Sequence, residues 1–184
     1  MLKLFLAFPV AEFYKKEITE LQKQNSFPDI RWTVFENLHI TLFFIGLAEE
    51  KNLTEIISEL KTLFNSAEKF QLTFEKISVE GKPSKQQMIW LKFQRSEPFA
   101  ILNDAIYHAV KKFMTAVPLN KPPVPHVTLA RIKSSVGFEK EKINFTIGLP
   151  LLNQLDIEHA ELWQSVQTKE GVKYVSLEKF SFRY

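Results

Sequence analysis

Two segments of the chain repeat a histidine and a threonine two residues apart within apolar, strand-like sequence. His39 and Thr41 stand in "FENLHITLFF", and His126 and Thr128 stand in "VPHVTLARI". Alternate side chains of a β-strand point to opposite faces, so each His/Thr pair shares one face of its strand. The two side chains of a pair lie about 6–7 Å apart, which lets an imidazole and a hydroxyl contact one phosphate-sized group.

The chemistry that suits this set is proton transfer at a phosphodiester. The unperturbed pKa of histidine is about 6.5, so one of two imidazoles can be neutral while the other is protonated near pH 7. One accepts a proton from water or a hydroxyl and the other donates to the leaving oxygen, each contributing about 10²–10⁴-fold. Threonine hydroxyls donate to the non-bridging oxygens, so metal-independent phosphodiester cleavage fits best.

A single histidine on a strand is usually structural, and threonine is a common strand residue. Two near-identical copies among only four histidines favour a shared site instead. The other two, His108 on a predicted helix and His159 in the acidic stretch "DIEHAE", lack such a context and are expected to lie outside it. The chain has no HExxH, and "GKPS" at 81–84 lacks the upstream glycine of a phosphate-binding loop, so we expect no metal and no cofactor.

Hydrophobic periodicity predicts the elements that position the first motif. A strand at 2–8 precedes an amphipathic helix, and "IRWTVF" and "HITLFFIG" follow as strands. "NLTEIISELKTLFN" carries a clean apolar stripe and predicts a second helix, with Asn52 and Glu55 as a capping box.

The second half begins again with strands, "FQLTFEKISVE" and "QMIWLKFQ", which join at a turn around Gly81 and Pro83. A third helix is predicted from about Glu97 to Met114, with Ser96 as its cap. The loop "VPLNKPPVP" then leads into the second motif strand, and the segments "LDIEHAELWQSVQ" and "GVKYVSLEKFSFRY" predict a closing hairpin that turns near Gly171.

This order of elements occurs roughly twice, and no Pro/Gly/Ser-rich linker separates the halves. We therefore expect one bilobal domain over residues 1–184 with an α+β fold. It would contain two antiparallel β-sheets, with the helices on the outside and a pseudo-two-fold internal repeat relating the lobes.

Composition limits the other possibilities. The 184 residues are 45% hydrophobic with 17 Phe, which is typical of a globular protein with a large core, and the net charge of +3 tolerates an anionic ligand. The absence of cysteine excludes disulfides, thiolate metal sites and a cysteine nucleophile. "MLKLFLAFPV" fits a buried strand better than a signal peptide, and no apolar run approaches the ~20 residues of a membrane helix. We expect a cytoplasmic monomer that does not engage a membrane.

The paired "HITL" and "HVTL" copies resemble the signature of the two-histidine (2H) phosphoesterase superfamily. More narrowly, the chain resembles the RNA 2′,3′-cyclic phosphodiesterases, historically called 2′-5′ RNA ligases, along nearly its whole length. The supporting stretches are "LFLAFPV", "IRWTVFENLHITLFFIG", "MIWLKF", "PHVTLAR" and "LWQSVQTKEGVKYVSLEKFSF". The paired motif is fairly specific for the superfamily and much less specific for the substrate.

The resemblance implies that the two sheets of the bilobal fold line a central cleft, to which each lobe contributes one motif. It also implies hydrolysis of a 2′,3′-cyclic phosphate end of RNA to a 2′-phosphomonoester. It makes His126 the base that activates water and His39 the acid that protonates the departing 3′ oxygen, while Thr41 and Thr128 hold the phosphate oxygens. The two histidines could exchange roles, because nothing in the sequence orders their coupled pKa values. In reverse, the same groups would join a cyclic end to a 5′ hydroxyl.

Two further residues are candidates for substrate binding. Phe43 is predicted to share the face of His39, to be open and to stack a base, whereas Trp32 is assigned to core packing. Arg131 is predicted to alternate to the core side of its strand, where an RNA phosphate and a structural ion pair are equally good partners.

The substrate itself stays open at this point. "WTVFEN" before His39 stands where the family tends to have a proline-containing loop, and "NKPPVP" before His126 replaces an aromatic-led approach. The alternatives to an RNA end are a small nucleotide cyclic phosphate, a 2′-5′ oligoadenylate, or a non-catalytic RNA-binding module whose histidines only bind phosphate.

Overall fold

The computed structural model of the chain describes residues 1–25, 27–82, 86–115, 123–132 and 153–183. Within these ranges the strands are β1 (Leu2–Pro9), β2 (Ile30–Trp32), β3 (His39–Ala48), β4 (Phe70–Glu80), β5 (Met88–Phe93), β6 (His126–Ile132), β7 (Gln154–Ile157), β8 (His159–Thr168) and β9 (Gly171–Ser181). The helices are α1 (Glu12–Gln24), α2 (Leu53–Phe64) and α3 (Glu97–Val110), and short 3₁₀ turns cover Phe35–Asn37, Glu50–Asn52 and Lys111–Phe113. Pro83 of the predicted turn and most of the loop before His126 lie outside the described residues.

The strands pair antiparallel in the order β7-β4-β5-β6-β3-β1-β8-β9, and β2 lies beside β6. One half of the sheet holds β1, β3, β8 and β9, and the other holds β2 and β4 to β7. Strands β3 and β6 pair at Ile40 and Val127, which we call the linking pair. The predicted α+β fold with antiparallel strands is confirmed, but in the described part of the chain the two predicted sheets are joined into one nine-stranded sheet, and the internal repeat stays a prediction.

One face of the sheet is buried under the helices. The apolar side chains of α2 and α3 form a single core with those of β1, β3, β5 and β6. Complete burial of each such side chain stabilises the fold by about 1.5–3 kcal/mol. Because this face is occupied by the core, the polar residues of β3 and β6 must lie on the opposite face.

Of the two predicted helix N-caps, one is confirmed and the other is wrong. Ser96 caps α3 as expected, since its Oγ accepts a hydrogen bond from the backbone N–H of Phe99 at 3.4 Å. The capping box at Asn52 and Glu55 is wrong. Asn52 has a helical backbone and makes no side-chain cap bond, because a 3₁₀ turn leads directly into α2.

Each motif strand carries a β-bulge immediately after its threonine. The pairing of β1 with β3 passes over Leu42, and the pairing of β5 with β6 passes over Leu129. A bulge inserts one residue and so reverses the alternation beyond it. In both strands the burial pattern from the histidine onward is the same: half-buried, buried, half-buried, buried, buried, exposed, buried. The side-chain amide of Asn103 on α3 donates to the Leu42 carbonyl, which lies at the bulge.

The predicted closing hairpin is formed by β8 and β9, and it turns at Gly171 with φ of +126°. The first predicted arm, "LDIEHAELWQSVQ", is not one continuous strand: its first residues belong to β7, and the later ones belong to β8. The hairpin arches over the polar face of the sheet. A hydrogen bond holds its turn near the first motif, where the Asn37 side-chain amide donates to the Val172 carbonyl at 2.8 Å. In the described part of the chain, no helix has the length and apolar content needed to cross a membrane.

Candidate active site

The linking pair brings the two sequence motifs together. Continuing its antiparallel register by one residue in each direction places Thr128 across from His39 and His126 across from Thr41. The side chains of these four residues project from the face opposite to the core. Cross-strand neighbours on one face have Cβ atoms about 4.5–5.5 Å apart. The motifs therefore form one four-residue cluster on the polar face, which we call the quartet.

Both imidazoles of the quartet are oriented by the same local contact. Nδ1 of His39 lies 2.7 Å from the Asn37 carbonyl, and Nδ1 of His126 lies 2.7 Å from the Val124 carbonyl. A carbonyl oxygen only accepts, so Nδ1 carries the proton in each neutral ring and Nε2 keeps its lone pair. At 3.0 Å, Nε2 of His39 accepts a hydrogen bond from the hydroxyl of Thr41.

His39 is surrounded by aromatic rings. Its ring centroid lies 5.2 Å from that of Phe5, 5.2 Å from that of Trp163 and 5.1 Å from that of Tyr174. Phe5 and Trp163 come from the neighbouring strands β1 and β8, while Tyr174 is contributed by β9 of the arching hairpin. These three rings form an aromatic cage that shields much of the half-buried imidazole from water.

Burial in this cage lowers the pKa of His39 from 6.5 to about 4. The Asn37 carbonyl opposes the shift because it stabilises the protonated ring, whereas the positive charges of His126 and Lys15 add to it. The electrostatic effect of His126 on His39 is consistent with their proximity across the linking pair. In the free protein near pH 7, His39 is therefore neutral.

His126 has a different environment. Its ring stacks on the indole of Trp90, with centroids 3.7 Å apart and planes 18° from parallel. Burial again lowers the pKa, followed by smaller contributions from the Val124 carbonyl and Glu80, which raise it, and from Lys92, which lowers it. Glu80 and Lys92 form an ion pair at 3.1 Å beside the ring.

The prediction that Phe43 is open on the face of His39 is wrong. The bulge at Leu42 turns Phe43 into the core, where it is 5% exposed, and brings Phe44 to the polar face, where it is 62% exposed. The ring of Phe44 packs at 5.8 Å from that of Phe5, a member of the cage. Phe44 is therefore the aromatic side chain of this strand that is available to a ligand.

The prediction that Arg131 lies on the core side is also wrong, for the same reason. The bulge at Leu129 leaves Arg131 exposed and paired with Met88 in the row next to that of Trp90. Its Nη1 contacts the Met88 sulfur at 3.7 Å. Arg131 thus shares the face of the quartet.

The remaining predicted assignments agree with the structure. Trp32 packs against the core, and its indole N–H donates to the Asn25 carbonyl at 3.2 Å. His108 lies beside Asp104 on α3, and His159 lies beside Glu161 on β8. Neither histidine contacts the quartet.

Sequence reasoning did not identify Phe5, Phe44, Trp90, Trp163 or Tyr174 as parts of the site. Alternation alone groups Met88, Trp90 and Lys92 on one face of β5, but it does not say that this face meets His126. Among the described residues, no group of three or more histidine, aspartate or glutamate side chains is arranged to hold a metal ion.

Comparison with known proteins gives two kinds of similarity. The sequence pattern of the 2′-5′ RNA ligase superfamily matches residues 9–166. The RNA 2′,3′-cyclic phosphodiesterase of Archaeoglobus fulgidus is 24% identical over 180 residues, covering 97% of this chain and 99% of the relative. The protein of the same name from Methanocaldococcus jannaschii is 25% identical over 176 residues, covering 94% and 96%.

Solved structures show the same fold. TT0787 of Thermus thermophilus superposes with a TM-score of 0.81 at 24% identity, covering 98% of each chain. LigT of E. coli complexed with 3′-AMP superposes with a TM-score of 0.78 at 17% identity, covering 100% of this chain and 99% of that one. These findings confirm the resemblance drawn from the two motifs.

Proposed function

The chain belongs to the 2′-5′ RNA ligase superfamily, and from that premise we propose that it hydrolyses 2′,3′-cyclic phosphate ends of RNA to 2′-phosphomonoesters. The observation that carries the proposal is the quartet, in which two imidazoles and two threonine hydroxyls meet across one linking pair. The name shared by the relatives above, RNA 2′,3′-cyclic phosphodiesterase, supports the choice of substrate.

In the proposed reaction a water oxygen attacks phosphorus and the bond from phosphorus to O3′ breaks. Nε2 of His126 takes the proton of the attacking water, and Nε2 of His39 gives a proton to the departing O3′. The hydroxyls of Thr41 and Thr128 donate to the non-bridging oxygens, where negative charge is spread in the transition state. The products are a 2′-phosphomonoester and a free 3′ hydroxyl.

The proton donor must be charged when the reaction begins, although both imidazoles are held towards the neutral form in the free site. The negative charge of the diester favours the protonated form of a neighbouring imidazole, so one proton enters the site with the substrate. The lower pKa of His39 alone would favour it as the base, and the resemblance assigns it as the acid. The assignment therefore needs its own test.

If the 5′ hydroxyl of a second RNA replaces water, the same proton transfers produce a 2′-5′ phosphodiester. This is the reverse of cleavage of such a linkage, and it needs no further catalytic group. We infer that ligation and hydrolysis share the quartet.

The test of the reaction is product analysis of a dinucleotide with a 2′,3′-cyclic phosphate, incubated with the protein in EDTA. The expected product is the 2′-phosphomonoester, and we expect His39→Ala and His126→Ala each to lower kcat by about 10²–10⁴-fold. His108→Ala, on the outer helix α3, is the matched control and should retain the wild-type rate. Turnover that EDTA abolishes, or a wild-type protein that binds the RNA without converting it, would reject the proposal.

A substrate with sulfur in place of O3′ separates acid from base, because a thiolate leaves without needing a proton. With this substrate, His39→Ala should recover most of its lost rate and His126→Ala should not. The opposite pattern would exchange the two roles and keep the catalytic pair.

A further inference from the structure

An ion pair lies on the polar face of the sheet, next to His126. Lys92 on β5 pairs directly with His126 on β6, so the two side chains share a face and their Cβ atoms are about 4.5–5.5 Å apart. The ammonium group of Lys92 donates to Oε1 of Glu80 on β4 at 3.1 Å. A positive and a negative charge therefore lie together beside one of the two imidazoles.

Contacts with β4 hold this ion pair in place. Ser78 of β4 pairs with Trp90 of β5, in a row that separates Lys92 from Glu80. The ion pair thus crosses the row of the indole that stacks on His126. Oε1 of Glu80 also accepts a hydrogen bond from the Ser78 hydroxyl at 2.8 Å. The side chains of Lys92 and Glu80 are only 19% and 31% exposed, so solvent screens this pair less than an exposed one.

The charges around the two imidazoles have opposite signs. Burial raises the pKa of the Glu80 carboxyl, and the hydrogen bonds that it accepts lower the pKa by more, so Glu80 is ionised near pH 7. After the large effect of burial and that of a backbone carbonyl, Glu80 raises the pKa of His126, and Lys92 lowers it by less. At His39 the positive charges of His126 and Lys15 both lower the pKa. The strongest charge effect at His126 is thus negative, and at His39 it is positive.

Other strands also present charged or titratable groups on this face. Among the described residues these are Arg31 on β2, His39 on β3, Lys76 on β4 and Arg131 on β6. Lys76 is paired with Glu75 at 3.1 Å, and His39 is neutral near pH 7. The two arginines pair with each other beyond Thr128, on the side away from His126. The charges that change the pKa of His126 are those of Glu80 and Lys92.

We propose that Glu80 and Lys92 are positioning residues of the reaction, because their ion pair holds a carboxylate beside His126 that stabilises the imidazolium formed when this ring takes the proton of the attacking water. This inference rests on the proposed function and adds two residues to its machinery. Lys92 fixes the carboxylate and also limits its effect, since the two charges act on the ring in opposite directions. The ring therefore stays neutral in the free protein and still accepts a proton during the reaction.

The test uses substitutions whose expected effects have opposite signs. Lys92→Met keeps the apolar stem and removes the positive charge, so the pKa of His126 should rise. Glu80→Gln keeps the shape and removes the negative charge, so this pKa should fall. In the double variant the two effects should largely cancel, and Lys92→Arg should stay close to the wild type. The measurement is NMR titration of the His126 ring, with its resonances assigned by comparison with His126→Gln.

Activity towards the cyclic-phosphate dinucleotide should follow the titration. In each variant, one limb of the kcat/KM profile should move in the same direction as the pKa of His126. In Glu80→Gln, kcat at pH 7 should also fall by about threefold to tenfold, because the developing imidazolium loses a stabilising charge. Lys112→Met is the matched control. It breaks ion pairs with Glu55 and Glu59 on the helical side of the fold and should change neither the titration nor the profile.

The outcomes separate this inference from the proposed function. An unchanged pKa of His126 in both Lys92→Met and Glu80→Gln would overturn the inference. So would a shifted titration with both limbs of the kinetic profile in place, since the ion pair would then not act on the reaction. A wild type that does not convert the dinucleotide contradicts the proposed function itself. The titration needs no turnover, so it then decides separately whether the two charges act on His126.

Discussion

The imidazole of His126 lies almost parallel to the indole of Trp90, at a centroid distance of 3.7 Å. His39 makes no comparable stack, since its three aromatic neighbours all meet it at tilted or edge-on angles. The stack covers one face of His126 and contributes to the burial that lowers its pKa. We therefore expect Trp90 to be a positioning residue, which acts on the proposed reaction through His126.

Replacing Trp90 with leucine should change the pH dependence of activity. Loss of the stack exposes His126 to water, so its pKa rises towards the ordinary value. If His126 is the base, the acidic limb of the kcat/KM profile moves to higher pH, and kcat/KM at pH 7 falls by about tenfold to a hundredfold. Trp90→Phe keeps a ring against the imidazole and should retain most of the wild-type profile. A leucine variant with an unmoved acidic limb would show that Trp90 has only a packing role.

Phe43 and Phe44 form a matched pair of neighbours with opposite expected effects. Phe43→Ala creates a cavity in the core and should lower the free energy of unfolding by about 3–5 kcal/mol. Phe44→Ala removes an exposed ring, so stability should change by less than about 1 kcal/mol. Because a stacked base is worth about 1–3 kcal/mol, Phe44→Ala should instead raise KM for the RNA substrate by about tenfold.

Urea denaturation and steady-state kinetics of the two phenylalanine variants provide the measurement. Equal losses of stability would mean that the bulge at Leu42 does not form in solution. An unchanged KM in Phe44→Ala would remove this ring from the binding surface.

The depressed pKa of His39 predicts that the protein loses stability in acid. Below pH 6.5 the unfolded chain takes up a proton at this residue, while the folded protein does so only near pH 4. The free energy of unfolding should therefore fall as the pH drops from 6.5 to 4, by up to about 3 kcal/mol from His39 alone. His126 changes stability in the same direction.

The check is urea denaturation at several pH values, comparing the wild type with His39→Gln. The glutamine variant should show a flatter dependence between pH 6.5 and 4, whatever its stability at pH 7. His108→Gln controls for loss of a histidine outside the site. A variant that keeps the full wild-type slope would mean that the cage does not hold His39 neutral.

Thr41 is expected to act through its hydroxyl group. Thr41→Val keeps the shape of the side chain but removes the donor, and kcat should fall by about 10²-fold, as for loss of one donor to a developing oxyanion. Thr41→Ser retains the hydroxyl and should lose much less. Thr62→Val, on the outer surface of α2, is a control for the same substitution away from the site. Similar rates for Thr41→Val and Thr41→Ser would exclude a catalytic role for the hydroxyl.

The quartet could be predicted from the sequence because side chains alternate between the two faces of a strand and because the His/Thr motif occurs twice. The placement of His39 and Thr41 on one face follows from strand alternation, and the matching pair at His126 suggested a shared site. The closing hairpin was equally clear, since a glycine separates two long strand-like segments. These features depend on neighbours in the sequence.

The wrong predictions for Phe43 and Arg131 arose where a bulge inserts one extra residue into a pair of strands. No residue type at Leu42 or Leu129 signals a bulge, because the pairing of the neighbouring strands determines it. A strict alternation therefore assigned Phe43 and Arg131 to the wrong faces. The aromatic cage was also invisible in the sequence, because its members come from β1, β8 and β9 and meet only after the hairpin arches over the sheet.

The order of strands has a consequence for synthesis on the ribosome. β1 pairs with both β3 and β8, so one of its two neighbours is synthesised much later than the other. His39 is likewise translated long before Trp163 and Tyr174, the rings that shield it. Until those two residues have been added, the imidazole lacks two of its three shielding rings and is more hydrated than in the folded protein. The nascent protein acquires the neutral histidine of its folded form only when β8 and β9 have been synthesised and have docked.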